Sequence, residues 1–196
     1  MAGVNLVSAN FNIVMFTKSK INLNRLLGVV HEKGFNPLFT KIKSVGNWDF
    51  EDLQIHKQES DPAEINMLMD SGRITLIFGA VQSIKFVVIL NKLETIYETS
   101  ISFDTKNMDY LDNNTLNDKS RPVYDEITSI LLRSGMVNDL LISALGVEVI
   151  VDYIDNFNKI ILNSHNVMRW VGGIEKDISE IKGYKQVSAG IWDKAD

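Results

Sequence analysis

The sequence predicts an α+β fold. A largely antiparallel sheet, with central strands at about 73–78, 84–90 and 96–103, should carry helices at about 22–33, 62–71, 121–134 and 137–145. Three observations support this expectation. The β-rich runs RITLIFG, SIKFVVIL and IYETSISF follow one another across junctions too short for a parallel return, which needs about a dozen residues, so they favour hairpins. Other stretches space apolar residues at i, i+3 and i+4 between helix start and stop signals. The chain has 196 residues, 45% apolar and 23% charged, which suits one domain, 1–196, and lies far from the composition of disorder.

Taken in order, Phe11, Ile13 and Met15 alternate with Asn12, Val14 and Phe16 as a first strand. In INLNRLLGVVHEKGF, Leu23, Leu26, Leu27 and Val30 make one helical stripe, with Asn22 placed to cap it and Gly34 to end it. LFTKIK reads as a second strand; a parallel crossover back to the first is possible, but the pairing stays open. SVGNWDFEDLQIHK reads as a loop feeding a short strand. Asp61 can cap the next helix, Pro62 suits its first position, Glu64 completes a capping-box variant, and Gly72 stops it.

In the third β-rich run Tyr97, Thr99, Ile101 and Phe103 face one way and Glu98, Ser100 and Ser102 the other, as in a sheet with one wet face. SRPVYDEITSILLRSG has the strongest helical signals. Ser120 is placed to cap it, Asp125 and Glu126 fall in its expected first turn, and Gly135 ends it. Val137, Leu140, Leu141, Ala144 and Leu145 repeat helical spacing up to Gly146. VEVIVDYI reads as a strand over about 147–154, with continuation of the preceding helix as the alternative, and NKIILN as its partner. A short helix is expected near 174–181.

The absence of Cys excludes a disulfide framework, a thiolate zinc site and a cysteine nucleophile. MAGVNLVSANFNIVMF lacks the basic start and apolar run of a signal peptide, so a cytoplasmic protein is expected. Arg133, Asn138 and Asp139 interrupt the most apolar region below the run of about 18 residues that a spanning helix needs, so no membrane partner is expected.

The net charge of −5 is unevenly placed. Residues 1–50 carry six Lys/Arg against two Asp/Glu, and residues 93–126 eight Asp/Glu against three Lys/Arg. The second block contains FDTKNMDYLDNNTLNDKS, which can be read as a solvated connection or as an acidic docking face. As a docking face it would use Asp104, Asp109, Asp112 and Asp118 for steering, Glu98 beside them, and Tyr97 or Tyr110 as aromatic anchors.

The chemistry of metals and nucleophiles finds little support. His31, His56 and His165 show no i+2 or i+4 pairing, and there is no HExxH, GxSxG, GxxxxGK[ST] or GxGxxG. A calcium loop needs oxygen ligands at its third and fifth positions and Gly at its sixth. Starting at Asp104 puts Lys106 third and Asp109 sixth, and starting at Asp112 puts Leu116 fifth and Asn117 sixth. No cofactor or metal is expected, and an Asn/Asp loop bonding its own backbone explains the composition better. The acidic total and the lack of a zinc-finger, RRM or KH signature argue against direct nucleic-acid binding, despite Lys18, Lys20, Arg25, Lys33, Lys41 and Lys43.

In size, acidity and α+β texture along its length, the chain resembles the small immunity proteins of bacterial toxin systems. The resemblance carries no specific motif and assigns no residue. It implies a non-catalytic module whose partner is a protein, such as a basic toxin domain, and which neutralises that toxin by occluding its active or substrate-binding surface. Two alternatives stand beside it. One is a hydrolase or metal-dependent enzyme assembled from distant His and Asp residues, and the other is a self-associating phage or scaffold protein.

Overall fold

The computed structural model describes residues 9–56, 62–106, 108, 110–111, 115–134, 139–152, 157–172 and 181–195. Its elements are β1 (Asn10–Thr17), α1 (Leu23–Glu32), β2 (Leu38–Val45), β3 (Gln54–His56), α2 (Pro62–Asp70), β4 (Ile74–Val81), β5 (Ile84–Leu93), β6 (Ile96–Asp104), α3 (Arg121–Arg133), β7 (Leu140–Ile150), α4 (Phe157–Asn163), β8 (His165–Gly172), β9 (Tyr184–Ser188) and β10 (Ile191–Lys194). The ten strands form one sheet in the order β3-β2-β4-β5-β6-β1-β7-β8-β10-β9, and every pairing is antiparallel.

The β4-β5-β6 meander follows directly from its short junctions. β1 and β2 run parallel but have three strands between them, so α1 crosses over β6, β5 and β4 rather than joining neighbours. α3 likewise joins β6 to β7 across β1. Both helices lie on the same face, where Leu23, Leu26, Tyr124 and Leu131 pack with Ile13, Ile101 and Leu145 of the sheet. Ile65 and Met69 of α2 join that core. The opposite face has a second core, in which Ile160 of α4 and Ile181 cover Val14, Ile142, Trp170 and Trp192.

Local signals explain the ends of α1 and α2. The Asn22 side chain accepts the Arg25 backbone N–H at 3.0 Å, which satisfies one of the open donors of α1. Gly34 and Gly72 follow α1 and α2 at φ +82° and +79°, values that favour glycine. Tyr97, Thr99, Ile101 and Phe103 do share one face of β6, opposite Glu98, Ser100 and Ser102, as the alternation predicts.

Three expectations are corrected. The helix expected at 137–145 is instead the central strand β7 from Leu140 onward, which also makes 147–150 strand. β7 is buried on both faces between β1 and β8, so it shows no polar alternation, and its continuous apolar run imitates helical spacing. NKIILN is a helix, α4, with Ile160 as its buried anchor, not a strand. Ser120 is itself in a helical conformation and makes no side-chain cap. Its Oγ accepts the Asn117 N–H at 3.0 Å, and with α3 beginning at Arg121, Asp125 falls outside the first turn. The Asp61 cap, the Gly135 stop and all but Ile181 of the helix expected near 174–181 lie outside the described residues.

Candidate functional site

Among the described residues of the acidic segment, the side chains named above are engaged in different places. Tyr97 and Glu98 are successive strand residues and point to opposite faces. Tyr97 packs against the main core, as does Tyr110. Glu98 accepts from Asn91 Nδ2 at 3.3 Å and from Ser100 Oγ at 3.1 Å. Asp104 folds back onto its own backbone, accepting the Lys106 N–H at 2.9 Å, and Asn117 does the same toward Lys119 and Ser120. Leu111 and Leu116 are buried and pin the segment to the core. Asp118 is exposed; Asp109 and Asp112 lie outside the described residues.

The loop between β2 and β3 brings together side chains that the sequence reading leaves unassigned. Arg73, just before β4, reaches across its base. Its Nη1 donates to Asp52 Oδ2 at 2.8 Å, its Nη2 to the Asp52 and Ser44 carbonyls at 3.0 and 3.3 Å, and its Nε to Ser44 Oγ at 3.0 Å. The other Asp52 carboxylate oxygen accepts the Gly46 N–H at 2.6 Å. The Gly46 N–H and then Arg73 hold the Asp52 carboxyl below its ordinary value. A Cβ at Gly46 would stand 2.9 Å from Asp52 Oδ2, so a side chain there would push against the clamped carboxylate.

Above this clamp, Asn47 Oδ1 accepts the Asp49 N–H at 3.1 Å, and Phe50 adopts φ +59°, a left-handed conformation uncommon for a bulky side chain. The turn sets Trp48 and Phe50 edge to face, with ring centroids 6.2 Å apart. Trp48 is 51% exposed, Phe50 45% and Ile55 on the adjoining edge strand 65%. Asp49 and Glu51 alternate with the rings and are also exposed. The result is a rigidly based apolar tip with acidic flanks at one end of the sheet. Its only trace in the sequence is the alternation of aromatic and acidic residues in NWDFED, after a glycine.

A row of three polar side chains runs beneath the tip, the first two hydrogen-bonded and the third farther off. Ser44 Oγ lies 2.8 Å from His56 Nε2, and His56 Nδ1 is 3.8 Å from Glu64 Oε1. With Arg73 donating to the same hydroxyl, Ser44 can donate its own proton to the imidazole. Serine, imidazole and carboxylate thus follow one another as in hydrolase triads, although the Ser44 side chain has no exposed surface.

At the other end of the sheet, the buried Arg169 of β8 binds Asp193 of β10 through two donors, Nε to Oδ1 at 2.6 Å and Nη2 to Oδ2 at 3.1 Å. Its Nη1 donates to Asp125 at 2.7 Å and to Thr128 at 3.2 Å, both on α3, and its guanidinium lies 5.9 Å from the Tyr124 ring centroid. Burial opposes the charge, but the hydrogen bonds Arg169 donates to Asp193 and Asp125 outweigh it, so Arg169 is held above its ordinary value. Burial pushes the Tyr124 phenol up. Arg121 also donates to Asp193, at 2.5 Å. Beside this node a hollow of about 540 Å³ opens between α3 and the strands β9 and β10.

Among the described residues no group of three or more His, Asp or Glu is placed to hold a metal ion. No helix among them is long and apolar enough to cross a membrane. Comparison with known proteins finds no matching family model, no matching curated protein and no matching solved structure.

Proposed function

We propose that the chain is a non-catalytic protein-binding module of the immunity type, acting in the cytoplasm and neutralising a cognate bacterial toxin by covering its active or substrate-binding surface. The observation that carries this reading is the exposed Trp48–Phe50 pair held on the Arg73–Asp52 clamp. Aromatic side chains that are already ordered lose little freedom on binding, and buried aromatics supply most of the energy of typical interfaces. Asp49 and Glu51 beside the rings, on a chain of net charge −5, suit a basic partner surface. On this reading the aromatic anchors are Trp48 and Phe50 of the β2–β3 loop, a surface separate from the acidic segment that carries Tyr110.

The test is recovery of the complex from the native host with the unaltered chain and with a Trp48→Ala, Phe50→Ala variant. The reading expects one enzyme recovered in one-to-one complex with the unaltered chain, inactive while bound, and lost from the variant. A recovered partner that keeps its full activity in the complex, or that binds the variant equally, contradicts it.

A second reading, a hydrolase, is favoured by the Ser44–His56–Glu64 chain. Here Ser44 would be the nucleophile, His56 the base and Glu64 its orienting group. Labelling by a fluorophosphonate that disappears in Ser44→Ala supports this reading. No labelling of the unaltered chain removes it.

A further inference from the structure

The half of the sheet formed by β2, β4 and β5 has a face that no helix among the described residues covers. Ile42, Ile77 and Val88 point to the main core beneath α1 and α2, so the alternate residues of these strands look the other way. There Leu76, the half-buried Phe78 and Ile89 form a third apolar cluster with Val45 and Ile74. Strand register sets Lys43 beside Leu76, Lys41 beside Phe78 and Lys85 beside Ala80, and Lys43 Nζ lies 5.3 Å from the Phe78 ring centroid. Among the described residues none of these three lysines pairs with a carboxylate. The face is an apolar strip bordered by unpaired ammonium groups.

The complementary surface lies on the same chain. Asp49 and Glu51 alternate with Trp48 and Phe50 at the loop tip, and their carboxylates likewise make no ion pair among the described residues. Tip and strip are continuous, since the exposed Ile55 stands beside Lys43 in the β2–β3 register. They are also evenly placed about the end of β2. Lys41 and Lys43 precede Val45 by four and two residues, and Trp48 and Phe50 follow it by three and five. A two-fold axis across the strands at that level lays the tip of each copy along the lysines of the other. We propose that, in the absence of another partner, the chain pairs with a second copy in this way. Trp48 and Phe50 of each copy seat on the apolar strip of the other, and Asp49 and Glu51 meet its Lys41 and Lys43. Such a contact uses both surfaces of both copies and closes at two. It goes beyond the binding of a different protein proposed above, and because it covers the tip, the two associations compete.

Sedimentation velocity of the full chain tests this pairing. A monomer–dimer equilibrium is expected, with Trp48 emission shifting to the blue as the dimer forms. Lys41→Glu, Lys43→Glu reverses the charge of the strip, and Asp49→Lys, Glu51→Lys reverses that of the tip. In either variant tip and strip carry the same sign at both contacts, so self-association should weaken by about a hundredfold or more. An equimolar mixture of the two variants, with matching circular dichroism spectra, should restore the dimer, because both contacts then join opposite charges. A chain that stays monomeric at about 0.1 mM overturns the proposal. So does full self-association of either variant, or of Trp48→Ala, Phe50→Ala, and so does a mixture that associates no better than its components. None of these results bears on recovery of a different partner, which the unaltered chain tests separately.

Discussion

Arg73 and Asp52 bind each other through both side chain and backbone. The guanidinium donates to the Asp52 carboxylate at 2.8 Å and to the Asp52 carbonyl at 3.0 Å. This relationship closes the base of the β2–β3 loop and gives the aromatic tip a defined shape. Asp52→Asn keeps the volume of the side chain and removes its charge, so the fold should persist while the tip loosens. Trp48 is the exposed tryptophan of the three, since Trp170 and Trp192 are buried. Acrylamide quenching and anisotropy of the fluorescence should therefore report mainly on the tip, with faster local motion expected in Asp52→Asn and in Arg73→Ala.

Acid should have the same effect. Asp52 is held below its ordinary value in the folded chain, so its contribution is complete above the unfolded value and is lost as pH falls through the depressed folded value. The Trp48 signal should thus change only at acidic pH, below the usual carboxylate range. That transition should be missing from Asp52→Asn, which has no carboxyl to protonate.

At the opposite end, breaking the Arg169–Asp193 pair removes two hydrogen bonds from the buried Asp193 carboxylate and leaves it to the half-exposed Arg121. Arg169→Met should cost about 3–5 kcal/mol, which for a chain of this length lowers Tm by roughly 6–20 °C. Adding Asp193→Leu should restore much of the loss, because the buried, now under-satisfied carboxylate goes with it and the half-exposed Arg121 can turn to solvent. Thermal unfolding followed by circular dichroism measures both.

Gly146 in β7 lies against the backbone carbonyl of Asn166, and a Cβ there would collide with it and with Val149. Gly146→Ala should therefore destabilise by about 1–3 kcal/mol, although Ala favours a strand at least as well as Gly. Urea unfolding with an unchanged m-value would show the loss as stability alone.

The parts of this fold that are legible in the sequence are those in which local chemistry and tertiary environment agree. β4 to β6 have short junctions and, in β6, one wet face, and α1 has Asn22 and Gly34 at its ends. β7 is illegible for the opposite reason: between β1 and β8, beneath α3 and above α4, it has no polar face to reveal a period of two. The site divides in the same way. Asp104 behaves as turn chemistry predicts, whereas the clamp joins Arg73 to Asp52 and Ser44 across 21 and 29 residues of sequence, a proximity that only strand pairing creates. Arg169 within the apolar run VMRWV signals a buried cation in need of a carboxylate, but nothing local identifies Asp193.

The most direct measurement is the affinity of the recovered partner for the unaltered chain and for Trp48→Ala, Phe50→Ala, made by calorimetry on proteins with matching circular dichroism spectra. Two buried aromatic anchors worth about 2 kcal/mol each predict a loss of several hundredfold or more. An affinity that stays within about twofold, under RT ln 2 or roughly 0.4 kcal/mol, would contradict the claim that this tip is the binding surface.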